Sequence, residues 1–347
     1  MDSMIEIDGS YGSGGGQIIR TALALSCLTG KAFHVSNIRA KRKNPGLAAQ
    51  HLACVNSIAK LCNAEVKGNF LGSRELFFKP CKIEVKHLKI DIGTAGSIAL
   101  VLQALMPALT IISNPIELEI TGGTDVKMAP SIDYIREVLL RLLSKLDYKA
   151  SLQIIRRGFF PKGGGKIIFK AEPMKLKEYR FTDQGKLICI HGISIASQHL
   201  KKAKVAERQA EKAKELLSKL NLPIEIKTQY AESYSPGSTI TLWLETENSF
   251  LGACALGEQK KPAEKVAEEA AQSLIHELEK NAVVDVHAAD QLLPYLALTG
   301  GSLKTSSISE HAKTNAFVIE KFLPVKFEIE EKKAEIKIKK DLEHHNI

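Results

Sequence analysis

The sequence predicts an α/β (α+β) protein in which three repeated βαβαββ units form a large domain that carries a smaller inserted α/β domain. Three observations lead to this fold class. An order of strand, loop, helix, strand, loop, helix and hairpin recurs three times. Short apolar strands alternate with amphipathic helices, which is typical of sheets covered by helices. The order breaks between residues 180 and 278, so we expect a large domain of residues 1–179 and 279–347 and an inserted domain of residues 180–278.

The first copy shows the predicted unit most clearly. A short strand enters a glycine-rich loop, an apolar helix follows, and a second strand leads through a basic loop to a second helix. Two short β segments then close the copy as a hairpin. The predicted elements are strands Ile5 to Ile7 and Ala32 to Ile38, helices Gln17 to Cys27 and about Leu47 to Cys62, and hairpin strands Ala64 to Val66 and Leu76 to Phe78.

The second copy starts at Leu88 and the third near Ala282. For the second we predict strands Leu88 to Ile92 and Ile116 to Ile120, helices from Gly96 to about Leu109 and Ile132 to Leu146, and a hairpin across Gly163 to Gly165. For the third we predict strands Val283 to Val286 and Leu303 to Ser307, helices Gln291 to Leu298 and from the His311 loop to Phe322, and strands Val325 to Ile329 and Ala334 to Ile338. Ligands in such folds collect where strands end beside helix N-termini, so three copies are expected to share one site. The alternative is one α/β domain without true repetition.

Residues 180–278 follow a different order. We predict strands Leu187 to Ile195, Ile224 to Thr228 and Thr239 to Glu245, and helices from about Ala203 to Leu220 and Pro262 to Lys280. The charged run Lys201 to Lys219 is interpreted as a solvated helix face, with an RNA-contacting surface as the alternative.

Composition limits the classes of protein. With 347 residues, 44% of them hydrophobic, the chain can bury large cores. A net charge of +9 suits a polyanionic partner without establishing one. The six cysteines include no Cys-X-X-Cys pair and no close histidine companion, so we expect reduced thiols and little support for zinc or iron–sulfur sites. The N-terminus lacks a basic-then-apolar leader, and no apolar run approaches the roughly 18 residues of a membrane span. We expect a soluble cytoplasmic protein with no membrane partner.

Two loops carry features of anion binding. The run Gly12 to Gly16 precedes a helix whose free amides can hold an anion, with Arg20 one turn inside. No Gly-Lys-[Ser/Thr] follows, so this is not a P-loop. In the second loop Arg39, Lys41, Arg42 and Lys43 precede another helix, and this convergence suits phosphates. The alternatives are a tight glycine turn and a solvated charge run.

His311 is the candidate nucleophile. It lies in the polar segment Ser307 to Asn315, between a predicted strand and a predicted helix rather than on an apolar face. A neutral imidazole can attack phosphorus if an acceptor holds its other ring nitrogen and cations neutralise the phosphate. Without such neighbours, a structural or surface histidine is the commoner case.

Several motifs occur together in one order. They are Gly14 to Arg20, Ile38 to Arg42, Pro45-Gly46-Leu47, Gly122 to Asp125, Arg157 to Lys166, Ala289 to Leu292 and His311 to Leu323. With them, nearly the whole chain resembles the RNA 3'-terminal phosphate cyclase family. The Arg157 to Lys166 turn is the most diagnostic of these motifs, yet its glycines are explained by a hairpin with positive φ angles, so we leave it outside the site.

The resemblance implies an ATP-dependent enzyme. Members convert an RNA 3'-terminal phosphate into a 2',3'-cyclic phosphodiester through an adenylyl-histidine and an RNA-adenylate, releasing AMP and diphosphate. ATP, a divalent cation (Mg²⁺ or Mn²⁺) and RNA with a 3'-terminal phosphate are thus the implied cofactors and partner. The implied fold is also three repeated α/β units with an insertion before the third.

The resemblance also implies roles for individual residues. The family histidine matches His311. The implied ATP site comprises Gln103, Pro130 as a wall against adenine, and His287, Ala288, Ala289, Asp290 and Gln291. The residues implied near phosphates are Arg20, Arg39, Arg42 and Gln50. Considered without the family, Gln103 could be a buried amide and Asp290 a helix cap.

Two positions depart from the family pattern. Ser13 stands where relatives commonly carry a metal-holding Glu, which puts a direct protein–metal bond in doubt, although Mg²⁺ can bind through ATP phosphates and water. His287 stands where relatives can carry Tyr, and its smaller ring can still stack on adenine. Two alternatives to the cyclase are a non-catalytic RNA-binding ribosome-assembly relative and a transferase of other chemistry with the same repeats, such as an enolpyruvyl transferase.

Overall fold

The computed structural model describes residues 4–12 and 14–340. Over these residues the chain is mixed α/β and contains four sheets of four strands each. The predicted fold class is confirmed, and three of the sheets repeat one strand order. Among the described residues, no helix combines the length and apolar character that a membrane crossing requires.

The first unit contains six elements in the predicted order. They are β1 (Ile5–Asp8), α1 (Gln17–Thr29), β2 (Phe33–Ser36), α2 (Ala49–Cys62), β3 (Glu65–Lys67) and β4 (Leu76–Lys79). The sheet order is β1-β2-β4-β3, with β1 and β2 parallel and the other pairs antiparallel. Phe33 and Val35 alternate with less buried residues along β2, which gives this sheet one core face.

The second unit repeats this arrangement with different loops. Its elements are β5 (His87–Asp91), α3 (Ile98–Ala108), β6 (Ile116–Gly122), α4 (Ile132–Tyr134), a π-helical turn (Ile135–Leu139), α5 (Leu140–Ser144), β7 (Ala150–Arg156) and β8 (Gly165–Ala171). The sheet order β5-β6-β8-β7 matches the first unit strand for strand.

The inserted segment forms a sheet covered by two helices. After β9 (Tyr179–Phe181), its elements are β10 (Leu187–Ser197), α6 (Val205–Leu217), β11 (Ile224–Ala231), β12 (Ser238–Thr246), β13 (Phe250–Leu256) and α7 (Ala263–Glu279). The strand order is β11-β10-β12-β13, and we call these four strands the inserted sheet. A separate cluster of buried apolar side chains lies between this sheet and its helices.

The third unit is completed after the inserted segment. Its remaining elements are α8 (Val286–Thr299), β14 (Gly301–Lys304), α9 (Glu310–Phe322), β15 (Val325–Glu330) and β16 (Glu335–Lys340). Read from β9, the order β9-β14-β16-β15 is again that of the first unit.

The predicted first strand of the third unit, Val283 to Val286, is wrong. The Asp285 carboxylate accepts the backbone N–H groups of His287 and Ala288 at 3.0 Å, so a helix starts here instead. β9, which precedes the inserted segment, pairs in parallel with β14 and takes the place of the first strand. β9 spans residue 180, where we placed the start of the inserted domain. The division at residues 180–278 stays a prediction.

The helices bring the three units together. One cluster of buried apolar side chains continues through all three units. Within it, α1 packs against both α3 and α9, and α8 packs against α9 and α3. Gln17 at the start of α1 contacts His311 at the start of α9, so the N-terminal ends of these helices meet, and this junction holds the candidate site.

Candidate functional site

His311 lies in the first turn of α9. The Ser309 hydroxyl accepts the Ala312 N–H at 3.0 Å and caps the helix, so the polar segment ends where a helix can begin. His311 is exposed as a residue rather than enclosed in the core, although its neighbours cover part of the imidazole. The sequence placed His311 in a polar segment before the helix, whereas the structure places it inside α9, because the Ser309 cap starts the helix at Glu310.

Gln17 orients the His311 ring from the first residue of α1. Its side-chain nitrogen donates to the His311 carbonyl oxygen at 3.3 Å and to the Asp290 carboxylate at 3.2 Å. A backbone carbonyl is only an acceptor, so the amide nitrogen must face it and Oε1 must face the imidazole. Oε1 contacts Nδ1 of His311. Nδ1 therefore carries the proton, and Nε2 keeps its lone pair.

Asn315 and Thr21 extend this network below the imidazole. The Asn315 amide donates to the Asp290 carbonyl oxygen at 2.8 Å, and the Thr21 hydroxyl donates to the Asn315 Oδ1 oxygen at 2.6 Å. Thr21, Asp290 and Asn315 come from α1, α8 and α9. Buried polar bonds thus fix the relative positions of three helices from two units.

The charges around His311 favour its neutral form. Partial burial lowers the pKa of His311, and nearby Arg20, His287 and Arg42 lower it further. Because its pKa is lowered, the imidazole is largely unprotonated near neutral pH, as a nucleophile requires. Burial also raises the pKa of the neighbouring Asp290 to about 7, against the opposing effects of Arg20 and Gln17.

The N-terminus of α1 offers backbone N–H groups. Its first turn has no side-chain cap and no acidic residue. A Cβ atom on Gly16 would lie 1.8 Å from Nε2 of His51, so only glycine permits this approach. The Nδ1 atom of His51 accepts the Ala48 N–H at 3.2 Å, which puts the ring proton on Nε2. Burial, with Arg20 and Arg39, lowers the pKa of His51 to about 3, so the ring stays neutral.

The basic loop that contains Arg39 to Lys43 lies against the glycine-rich loop before α1. Lys41 donates from Nζ to the Gly12 carbonyl at 3.2 Å. Arg39 has a positive φ of 54° and donates from Nη1 to the Gly46 carbonyl at 2.8 Å. Arg42 is exposed and lies within electrostatic range of His311. Arg20 and Arg42 thus lower the pKa of the predicted nucleophile. Arg39 instead lowers the pKa of His51 and holds its own loop through the Gly46 carbonyl.

Gln50 joins the first unit to the second. Its amide accepts the Ser97 N–H at 2.5 Å and donates to the Ser97 carbonyl at 3.1 Å. Gln103 is half-buried on α3, and Pro130 is half-buried before the Ser131 cap of α4. Among the residues described, no hydrogen bond or ion pair joins Gln103 or Pro130 to the His311 network. Their ligand contacts stay predictions.

The segment from His287 to Gln291 forms the start of α8. His287 is exposed near His311, whereas Ala288 and Ala289 are buried in the core. Gln291 donates to the His287 carbonyl at 2.8 Å, and its own Oε1 is buried without a hydrogen-bond partner in the described chain. His287 and Asp290 therefore face the network, and the two alanines position them from behind.

Gln17 and His51 are functional candidates that sequence reasoning did not select. Gln17 stands inside a motif that the sequence already distinguished, but its contact with His311 spans 294 positions. Only the packing of α1 on α9 reveals it. His51 follows Gln50 at the first turn of α2, and the small Gly16 opposite it was the one available signal.

The turn from Arg157 to Lys166, which we call the signature turn, has the positive φ angles that its glycines predicted. Gly163 and Gly164 have positive φ angles of 63° and 70°. Arg157, only 4% exposed, lies between two buried carboxylates, with Nη2 at 2.9 Å from Asp133 and Nη1 at 3.3 Å from Asp125. The turn is thus fixed to the Gly122 to Asp125 motif by a buried ion pair.

The described residues do not form a carboxylate cradle for a metal beside His311. Ser13 lies outside them. Within residues 4–12 and 14–340, the only group of three or more His, Cys, Asp and Glu side chains with ligand atoms within 4.8 Å of one another is Cys189, His191 and Glu225 in the inserted sheet. The expectation that no cysteine has a close histidine companion is therefore wrong for Cys189.

Comparison with known proteins identifies the family of this chain. The family model described as RNA 3'-terminal phosphate cyclase matches residues 11–329. Proteins named RNA 3'-terminal phosphate cyclase are 49% identical in Pyrococcus abyssi, over 94% of this chain and 95% of that protein, and 47% identical in Methanosarcina barkeri, over 95% and 97%. A relative of the same name from Pyrococcus furiosus is 46% identical over 94% of this chain and 95% of its own length. The chain therefore belongs to the RNA 3'-terminal phosphate cyclase family.

Proposed function

We propose that this chain is an ATP-dependent enzyme that converts an RNA 3'-terminal phosphate into a 2',3'-cyclic phosphodiester and releases AMP and diphosphate. One observation carries the mechanism. His311 is exposed, its Nδ1 is held by Gln17, and its Nε2 lone pair is available beside cationic groups. Family membership supports the reaction class, and the orientation of the imidazole supports a nucleophilic role.

The first step joins AMP to the imidazole. The Nε2 lone pair attacks the α-phosphorus of ATP, an N–P bond forms, and the α–β P–O bond breaks to release diphosphate. The Nδ1 proton stays on the ring, where the Gln17 oxygen stabilises the positive charge that develops. Arg20, Arg42 and the backbone amides at the start of α1 are proposed to bind the phosphates.

Two displacements complete the reaction. An oxygen of the RNA 3'-phosphate attacks the adenylyl phosphorus, and the N–P bond breaks to regenerate His311. The neighbouring 2'-hydroxyl then attacks the activated 3'-phosphorus, loses its proton and expels AMP. Adenylation has turned a poor leaving oxygen into AMP, which is a better leaving group. The displacement is also intramolecular, because the 2'-hydroxyl lies next to the 3'-phosphorus.

We assign the remaining residues by position. Gln103, Pro130 and the segment from His287 to Gln291 are proposed to hold the adenosine, with exposed His287 as the stacking group. Arg39 is proposed to contact phosphate from its loop, and Gln50 to hold the Ser97 backbone beside the site. A divalent cation is proposed to bind through ATP phosphates and water, and no step above depends on a protein ligand for it.

Labelling with ATP that carries radioactive α-phosphate tests the mechanism. Wild-type protein should acquire acid-labile, alkali-stable label, and His311→Ala should acquire none. His199→Ala, which removes an exposed histidine from the inserted segment, is the matched control and should label like wild type. Folded wild-type protein that neither labels nor cyclises a 3'-phosphorylated RNA would instead identify a non-catalytic RNA-binding relative.

A further inference from the structure

A second cluster of metal-binding side chains lies on one face of the inserted sheet. Cys189 and His191 are two positions apart on β10, so they point to the same side. Glu225 on β11 pairs with His191, and Glu245 on β12 pairs with Cys189. The opposite face of the sheet packs under α6 and α7, so this cluster is independent of that core.

The imidazole of His191 has a carboxylate at each nitrogen. Nε2 lies 3.0 Å from the Glu245 carboxylate, and Nδ1 lies 3.6 Å from the Glu225 carboxylate. Trp243 stacks on the ring with centroids 5.5 Å apart, which fixes the plane of the imidazole. A neutral histidine that donates from Nε2 to Glu245 turns its Nδ1 lone pair towards the Glu225 oxygens. Two acceptors that face each other are unfavourable unless a proton or a metal cation lies between them.

The third donor is a thiol. The Cys189 sulfur, an imidazole nitrogen of His191 and a Glu225 oxygen all lie within 4.8 Å of one another. Burial raises the pKa of the Cys189 thiol, and Glu225 and Glu245 raise it further. The thiol donates a weak hydrogen bond to the Pro223 carbonyl oxygen at 3.4 Å. This bond is lost when a cation displaces the thiol proton.

We propose that Cys189, His191 and Glu225 bind one zinc-class divalent cation, with Glu245 holding the Nε2–H of His191 from outside the coordination sphere. One thiolate, one imidazole and one carboxylate form a ligand set that suits Zn²⁺ better than Mg²⁺ or Ca²⁺. A carboxylate on the far nitrogen of a ligating histidine is the usual orienting partner. Three protein ligands leave a fourth position for water, and binding releases the thiol proton.

Titration of the metal-free full chain with Co²⁺ tests this site. Wild-type protein should develop a near-ultraviolet thiolate-to-cobalt band that saturates at one equivalent, and Zn²⁺ should abolish it. Cys189→Ser should lose the band. Cys81→Ser, which removes an exposed cysteine in the first unit, is the matched control and should keep it. Glu245→Gln should keep the band but weaken affinity roughly 10- to 100-fold.

The outcome does not depend on cyclase activity. If Cys189→Ser misfolds by circular dichroism, Glu225→Gln serves instead, because Glu225 is an exposed side chain whose replacement leaves the core intact. This variant should bind Co²⁺ more weakly than wild type. The proposal is overturned if wild-type protein shows no thiolate band at stoichiometric Co²⁺, or if Cys189→Ser retains it. In that case His191 is an imidazolium that forms ion pairs with both Glu225 and Glu245.

Discussion

Gln17 and His311 are 294 positions apart in the chain, and the side-chain oxygen of Gln17 contacts Nδ1 of His311 where α1 meets α9. The same amide donates to Asp290, so one side chain links the predicted nucleophile to the predicted nucleotide-binding segment. The first and third units therefore build the site together. Neither unit alone would fix the tautomer of the imidazole.

Replacement of Gln17 should slow adenylation without removing the nucleophile. Gln17→Leu keeps the volume of this buried position but removes the acceptor for Nδ1. A hydrogen bond to a charged group contributes roughly 1.5–3 kcal/mol, so label transfer from ATP should fall about 10- to 100-fold. Gln272→Leu changes an exposed glutamine on α7 and should label at the wild-type rate. An unchanged rate for Gln17→Leu would mean that this contact does not orient the reacting ring.

Adenylation should remain fast in mildly acidic solution. The pKa of His311 is lowered, so the neutral imidazole remains populated below the ordinary value of 6.5. We expect the acid limb of the single-turnover labelling rate to lie below pH 6.5. Arg42→Ala removes one of the cations that lower this pKa, so its acid limb should move upward. An acid limb above 6.5 in the wild type would contradict the electrostatic description of the site.

Local patterns predicted the repeated units, the polar setting of His311, and the glycine-rich and basic loops near Arg20 and Arg42, because each depends on residues close in sequence. They failed for the start of the third unit. β9 has three residues and precedes the inserted segment, while Val283 to Val286 has the apolar character of a strand but meets the Asp285 cap. Gln17 and His51 were missed for a related reason, since their roles come from helix packing rather than from periodicity.

Arg42 and Arg39 should differ in their effects. Arg42 is exposed, so Arg42→Ala should lower kcat/KM for cyclisation about tenfold and leave the unfolding midpoint unchanged. Arg39→Ala also loses the bond to the Gly46 carbonyl and should destabilise the protein by roughly 0.5–1.5 kcal/mol. Arg180→Ala, at an exposed position of β9, is the control for loss of one positive charge. If both loop variants cyclise RNA like Arg180→Ala, the phosphate assignment is wrong.

Glu277 should make stability depend on pH. It is 3% exposed, its Oε2 has no hydrogen-bond partner in the described chain, and burial, with Asp285, raises its pKa from 4.5 to about 7. Between these two values the folded protein holds a proton that the unfolded chain has released, so stability falls as pH rises through this window. Glu277→Gln should therefore stabilise the protein by roughly 1–3 kcal/mol above pH 7 and by little near pH 4.5.

Urea denaturation of Glu277→Gln and wild type at both ends of this window measures the effect. Glu279→Gln changes an exposed glutamate two residues further along the chain and should give no comparable gain. A gain for Glu277→Gln that is equal at both pH values would show that the charge of this side chain is not responsible.

The Arg157 ion pair gives the signature turn a role in stability rather than chemistry. Arg157→Met leaves Asp125 buried without a guanidinium and Asp133 with Arg136 as its remaining partner, which should cost about 3–5 kcal/mol in urea denaturation. Replacing both carboxylates with Asn in the same protein should recover much of that loss, because the unpaired buried charge is gone. At low temperature, the folded fraction of Arg157→Met should still label on His311 at the wild-type rate. A variant of normal stability that fails to label would instead place this turn within the reacting site.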